Sequence, residues 1–379
     1  MPRPDARRNP GGGMPKRQRG HVESPTAGAS SKKPSPSLGP TAPNRSNGTA
    51  NAMGKSPRKK ADQAKSLRHV RSMFDLTSDE TNALIDLALK LKEERDSGTE
   101  KPRLPGRVLG LVFEKPSTRT RVSFECAMAH LGGNCVFLTG TETGVGERES
   151  EHDFAKVMSG YVDALAVRTF SQHRVDELAK HASVPVINAL SDTEHPCQAL
   201  GDFAAMKLKA GRLKGLKLAF VGDANNVARS LATAAAMTGV EFVLASPDGY
   251  TFPEEFRARV SLLGGKLQHF IDPAEAVANA DFIYTDVWTS MGQEKESTKR
   301  RTAFAGYQVD AALMAKAKPG ARFLHCLPAK RGEEVAAEVI DGPASMVFEQ
   351  AEFRLHAQKA LLLYLLGDDV LRTGRAVRR

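Results

Sequence analysis

An α/β architecture is what this sequence predicts: two doubly wound parallel-sheet domains joined by a helix, with a C-terminal helix packing back on the first domain. Three observations carry that reading. Short β-rich runs alternate with helical stretches along residues 67–379, the pattern of parallel strands with crossover helices. The runs fall into two groups of four: 108–113, 135–138, 163–167 and 184–187, then 217–221, 240–244, 281–285 and 322–326. A helical stretch from His195 to about Lys209 separates the groups, and a body of about 300 residues is the length of two ordinary domains. The expected division is a first domain at 67–205, a second domain at 206–350, and a C-terminal helix and tail at 351–379.

The chain opens on something different. Residues 1–66 contain no Phe, Tyr or Trp and ten of the 21 prolines, so they offer too little apolar surface to offset ordering. Their 14 Lys and Arg against Asp5, Glu23 and Asp62 give +11, compared with +10 for all 379 residues. The body is therefore near neutral at −1, and any nucleic-acid partner would have to be engaged through this basic, disordered extension. Four readings fit the extension: a solvated tail, a weak polyanion binder, an organelle-targeting segment, or sequence upstream of a start at Met53. Its composition matches a transit peptide, but its proline density opposes the amphipathic helix such peptides form. No apolar run is long enough for a membrane span. Cys126, Cys135, Cys197 and Cys326 show no paired metal-ligand spacing, which suits free thiols in a reduced compartment.

The body begins with a capping box at Thr77 and Glu80. Leu84, Leu87, Ala88 and Leu91 then recur at helical spacing to about Arg95. The first β-run, 108–113, leads directly into Ser117-Thr118-Arg119-Thr120-Arg121. A strand-to-helix junction exposes free backbone N–H groups and a positive dipole end, and arginine adds a planar fork matching phosphate oxygens. The motif reads as a phosphate pocket, or as a capped helix start with solvated arginines.

Further polar clusters close later strands, where ligands gather in parallel sheets. Arg168 ends the third run. His195-Pro196-Cys197-Gln198 sets an imidazole and an amide three positions apart, with Pro196 at a favoured helix start. Asp223, Asn225 and Asn226 follow the fifth run. Asp286-Val287-Trp288 leads into Ser290-Met291-Gly292, and His325-Cys326-Leu327-Pro328 ends the last run. Singly, each has a bland counterpart: a surface arginine, a helix cap, turn-forming asparagines, a packed thiol. The turn at Gly222 lacks a full G-x-G-x-x-G, which leaves a nucleotide-binding dehydrogenase weakly supported. The last helix, expected over about Glu352 to Leu366, carries an apolar face with Leu355, Leu362 and Leu366.

In this order the clusters closely resemble the ornithine carbamoyltransferase family. The matching segments are S-T-R-T-R at 117–121, R-T-F at 168–170, H-P-C-Q at 195–198, D-x-N-N at 223–226, D-V-W-x-S-M-G at 286–292 and H-C-L-P at 325–328. The first three are shared with aspartate carbamoyltransferases; the S-M-G loop and H-C-L-P are those of the ornithine enzymes. The continuation from Ala329 to Glu334 resembles the biosynthetic type, in arginine biosynthesis. The resemblance implies the reaction carbamoyl phosphate + L-ornithine = L-citrulline + phosphate, with putrescine or N-acetylornithine as rival acceptors.

By resemblance, Ser117, Thr118, Arg119 and Thr120 hold the phosphate. Arg168, His195, Gln198 and Arg354 surround the carbamoyl group, and Cys326 and Leu327 lie between it and the attacking amine. Asn226, Asp286, Ser290 and Met291 hold the amino-acid end of ornithine. Arg168, His195, Cys326 and Arg354 are the expected catalytic group. No cofactor and no metal is implied. A cytoplasmic homotrimer with shared active sites and no membrane association is the expected form. Two departures stand out: Phe353 replaces the asparagine of A-E-N-R, and the segment 139–149 lacks a glutamine common there, with Gly144 the nearest equivalent.

Overall fold

The computed structural model describes residues 67–290 and 292–367. The basic extension at 1–66, Met291 and the tail from 368 onward lie outside the described residues.

Two parallel sheets form the body. The first holds β1 (Val108–Phe113), β2 (Asn134–Thr139), β3 (Ala164–Arg168) and β4 (Val186–Leu190), in the order β2-β1-β3-β4. The second holds β5 (Lys217–Val221), β6 (Glu241–Ala245), β7 (Leu267–Phe270), β8 (Phe282–Thr285) and β9 (Arg322–His325), in the order β7-β6-β5-β8-β9. Each order reverses direction beside its first strand, so β1/β3 and β5/β8 flank the crevices where ligands collect at strand ends. All pairings are parallel. Helices on both faces explain why β3 is buried at every residue and why its sequence, A-L-A-V-R, shows no alternation.

The second sheet has five strands, one more than the sequence grouping predicts. The additional strand is β7, an edge strand of sequence L-Q-H-F, four residues long and partly exposed. With Gln and His at its centre it lacks the β-branched run that marks a strand.

The linker helix Pro196–Ala210 runs between the lobes, and every residue from Pro196 to Met206 is buried. Pro196 stands at the first helical position, where its missing N–H costs nothing. The C-terminal helix spans Val347–Leu366, starting five residues before the predicted point. It packs on the linker helix, the first helix (Ser78–Asp96) and helix Thr118–His130. It is therefore buried on nearly all sides rather than on one apolar face. Gly201 permits the closest approach: a Cβ there would meet the Arg354 nitrogen at 3.2 Å and the Phe353 carbonyl carbon at 3.3 Å.

The capping box is present, with Thr77 Oγ1 accepting from Glu80 N at 3.2 Å and Glu80 Oε2 accepting from Thr77 N at 2.9 Å. Among the described residues no helix is long and apolar enough to cross a membrane.

Candidate active site

The carboxyl ends of both sheets face one cleft of about 1190 Å³, bounded by the start of the linker helix. Its first-lobe wall begins with helix Thr118–His130. Ser117 caps it, accepting from Thr120 N at 3.3 Å, and Ser117, Thr118, Arg119 and Thr120 put the positive end of the helix at the cleft wall. Arg119 crosses the gap, its Nη2 donating to the Leu327 carbonyl at 2.6 Å. Arg121 does not join it. Arg121 pairs with Glu125 at 2.9 Å and lies over the Phe137 ring at 3.6 Å, so half of the arginine motif takes the bland reading.

Arg168, at the end of β3, and Arg354, from the C-terminal helix, are both buried at the cleft floor. Arg354 donates to Gln198 Oε1 at 2.5 Å and to Thr120 Oγ1 at 2.9 Å. Neither arginine forms an ion pair among the described residues, and the Nε of each has no protein partner. Burial, with Arg354 and Arg119 nearby, holds Arg168 down to about 10, which still leaves it cationic at neutral pH. Burial also lowers Arg354. Buried positive charge without carboxylates is costly unless an anion completes it.

His195 is the N-cap residue of the linker helix but makes no capping bond. Its Nδ1 is buried without a partner. Burial and the three arginines push it well below the usual histidine range, so the ring is neutral at pH 7. Gln198 follows on the first turn, 2 % exposed.

The second-lobe wall is organised differently. Asp286, just past β8, accepts from Asn225 Nδ2 at 2.8 Å, Val287 N at 2.8 Å and Cys326 Sγ at 3.1 Å. Asn225 also caps helix Asn226–Thr238 through Val227 N and Ala228 N. Asn226 reaches the first lobe, donating to the Ser191 carbonyl at 2.8 Å. Ser290 lines the cleft, with its N–H on Gln293 Oε1 at 3.1 Å. Met291 lies outside the described residues.

Desolvation and Asp286 drive the Cys326 thiol well above its ordinary pKa, so it is a protonated hydrogen-bond donor, not a thiolate nucleophile. Ligand atoms of Asp286, His325 and Cys326 lie within 4.8 Å of one another. Both imidazole nitrogens of His325 are engaged, however. Nδ1 accepts from Leu327 N at 2.8 Å, and Nε2 faces Glu334 Oε1 at 3.2 Å. The group is wired as a hydrogen-bond network that shapes the turn. Leu327 there adopts φ +56, a left-handed conformation that a leucine adopts at a cost. The turn presents the Leu327 carbonyl to Arg119.

Two sequence models match the chain: the carbamoyl-P binding domain of aspartate/ornithine carbamoyltransferase over residues 68–208, and the Asp/Orn binding domain over 214–365. The chain belongs to the aspartate/ornithine carbamoyltransferase family. It is 50% identical over 305 residues to an ornithine carbamoyltransferase of Oceanobacillus iheyensis, covering 79% of this chain and 95% of that one. The Bacillus subtilis ornithine carbamoyltransferase is 51% identical over 299 residues, covering 78% and 92%. The crystal structure of ornithine carbamoyltransferase from Pyrococcus furiosus superposes with a TM-score of 0.75 at 46% identity, covering 78% and 96%.

As a carbamoyltransferase of this family, the chain has its carbamoyl phosphate domain in the arginine-lined lobe and its amino-acid domain in the lobe bearing Asp286. The cleft brings together Ser117, Thr118, Arg119, Thr120, Arg168, His195, Gln198, Cys326, Leu327 and Arg354, with Asn226, Asp286 and Ser290 opposite.

Phe353 is fully buried in the main apolar cluster, and among the described residues Gln198 and Thr120 hold Arg354. Segment 139–149 starts with a short capped helix, Gly140–Thr143, and buries Val145 against its own lobe. Motif reading missed Lys115, which is buried at the cleft edge with its ammonium 4.2 Å from the Phe170 ring centre. Its position two residues before S-T-R-T-R was the available signal.

Proposed function

We propose that the chain transfers the carbamoyl group of carbamoyl phosphate to the δ-amine of L-ornithine, giving L-citrulline and phosphate, in arginine biosynthesis. The observation that carries this reading is the pairing of two walls across one cleft. Among the described residues Arg119, Arg168 and Arg354 have no counter-ion, and Asp286 lines the same cleft beside Cys326.

In this reading Ser117, Thr118, Arg119 and Thr120, with the helix N–H groups, hold the phosphate. Attack of the amine on the carbamoyl carbon places negative charge on the carbamoyl oxygen. Arg168 and Arg354 stabilise it, and neutral His195 supplies one directed N–H. As the carbon–oxygen bond to phosphate breaks, Arg119 receives the growing charge on the leaving group. Asp286 binds the α-ammonium of ornithine with Asn226, Ser290 and Met291 around it. Cys326 and Leu327 pack between the two reacting ends. Arginines supply the charge stabilisation in this scheme, which calls for no cofactor.

The lobes divide as 67–205 and 206–350, with the chain from 351, inside the helix Val347–Leu366, completing the first. We place the working enzyme in the cytoplasm as a homotrimer, with segment 139–149 at the shared site. Intact Asp286 and the S-M-G segment favour an acceptor with a free α-amino group.

A citrulline-formation assay comparing L-ornithine, N-acetylornithine and putrescine tests the proposal; ornithine is expected to be used best, and preference for either rival overturns the acceptor assignment. The δ-amine resembles lysine, with a reference pKa of about 10.4, so only a small fraction is nucleophilic at pH 7. Activity is therefore expected to rise from neutral to mildly alkaline pH, and a flat profile counts against amine attack.

A further inference from the structure

Behind the reactive pocket lies a chain of buried polar side chains. Gln198 and Asp202 stand one turn apart on the linker helix, and Gln350 and Arg354 stand one turn apart on the C-terminal helix facing it. Asp202 Oδ1 accepts from Gln198 Nε2 at 2.7 Å and from Gln350 Nε2 at 2.7 Å. Arg354 Nη1 extends the chain by donating to Gln198 Oε1. The second sheet joins at the Asp202 end: Tyr284 Oη of β8 donates to Asp202 Oδ2 at 3.0 Å, and Gln350 Oε1 accepts from His325 N of β9 at 2.9 Å. Asp202, Gln350, Tyr284 and His325 are all fully buried.

An amide has two unlike ends, and which end faces a pocket is decided by its fixed partners. Gln198 is held between an acceptor and a cation. Its nitrogen must face Asp202, and its oxygen must therefore face Arg354 and the cleft. We propose that Asp202 is a positioning residue: it fixes the direction of the Gln198 amide so that an acceptor oxygen meets the carbamoyl nitrogen, and through Gln350 it anchors the backbone beside Cys326 on the opposite wall. This rests on the carbamoyl-transfer reading above and names a residue that the motifs do not include.

Burial raises the Asp202 carboxyl to about 7, against the pull of Gln350, Gln198, Tyr284 and Arg354. The polarity of Gln198 survives either protonation state. With Oδ1 engaged by two amide N–H groups, a proton would sit on Oδ2, toward Tyr284 Oη. Asparagine reproduces that arrangement, with Oδ1 toward the glutamines and its NH₂ toward Tyr284, whose hydroxyl then accepts instead of donating. Leucine matches the shape of aspartate, offers no acceptor and bars water from taking its place.

The test is steady-state citrulline formation, per folded site, for wild type, D202N and D202L, with inorganic phosphate as a competitive inhibitor. D202N is expected within about fivefold of wild-type kcat. D202L is expected to lose on the order of a hundredfold in kcat, with phosphate inhibition unchanged, because the phosphate contacts do not pass through Gln198. A D202L enzyme within threefold of wild type overturns the inference. Where D202L fails to fold, Q198E is compared with Q198E/D202N. Q198E sets two carboxylates together, and adding D202N relieves the clash and supplies a donor, so the double variant is expected to be at least about tenfold more active than Q198E. Additive losses overturn the inference. Absence of citrulline with wild type overturns the functional reading and this one with it, whereas an active wild type with indifferent variants overturns only the role of Asp202.

Discussion

On the first-lobe wall of the cleft, Arg168 and Arg354 lie buried with no ion pair among the described residues, and three ring or guanidinium nitrogens there lack any protein partner. On the second-lobe wall, Arg300 is paired with Asp223 at 2.7 Å, and Asp286 accepts three hydrogen bonds from its own lobe. The first wall is built with open donors and binds an anion without first surrendering much; only the Arg119 bond to Leu327 must yield. The second wall is satisfied at Arg300 and Asp286, although Arg229 Nε and Thr251 Oγ1 there lack a partner among the described residues, so an incoming amino acid exchanges bonds at Asp286 rather than adding them. Preorganisation therefore belongs to the phosphate side, where charge develops in the transition state, and adaptability to the side that selects the acceptor.

The sharpest way to break this comparison is Arg119→Ala. It removes a phosphate donor and the link between the lobes at Leu327. Each charge-assisted bond is worth roughly 1.5–3 kcal/mol, so kcat/KM for carbamoyl phosphate is expected to fall by about a hundredfold or more. Near-normal kinetics would place the phosphate elsewhere. A smaller and differently directed effect is expected of Asp286→Asn, which keeps the shape and removes the charge. The KM for ornithine should rise about tenfold, with that for carbamoyl phosphate within twofold. Equal changes in both would show that the walls do not divide the substrates as described.

Part of this contrast is legible in the sequence. S-T-R-T-R, H-P-C-Q and H-C-L-P carry their polar residues in contiguous segments near strand ends, so a shared cleft is expected from that pattern together with the family resemblance. The hidden parts depend on side chains far apart in sequence. Asp202 looks like an ordinary helix residue until Gln350, 148 positions away, is brought to the same oxygen. Asn225 reads as a turn former, yet it both caps a helix and steadies Asp286. The edge strand β7 escaped because Gln268 and His269 leave it no hydrophobic signature. Phe353 invited concern as a missing polar contact, but its surroundings are apolar and Arg354 needs none from it.

Gly201 offers a test of how tightly the open wall is held. Valine there would press on the backbone of Phe353 and Arg354, which a Cβ alone already meets at 3.2–3.4 Å. Overpacking of this kind costs about 1–3 kcal/mol. Gly201→Val is expected to lower Tm and also to lower kcat, since Arg354 moves with its helix. A loss of Tm with unchanged turnover would show that Arg354 tolerates displacement, and the wall would be less preorganised than argued.

The mildest effect comes from a part of the first lobe where charges are paired in the same manner as on the second wall. Glu80 is half-buried and receives Arg68, the Thr77 N–H and Tyr364 Oη. Burial opposes ionisation, but these partners together hold its carboxyl at about 2, below the usual 4.5. A carboxyl whose folded pKa is depressed stabilises the fold fully above the unfolded value and loses that contribution as pH falls toward the folded one. Glu80→Gln is therefore expected to lower Tm at pH 7 while leaving kcat unchanged. The gap from wild type should narrow as pH drops from 4.5 toward 2. A gap of constant size across that window would mean that Glu80 acts through shape rather than charge. A change in kcat would tie this distant ion pair to the cleft and erase the distinction between the open wall and the framework behind it.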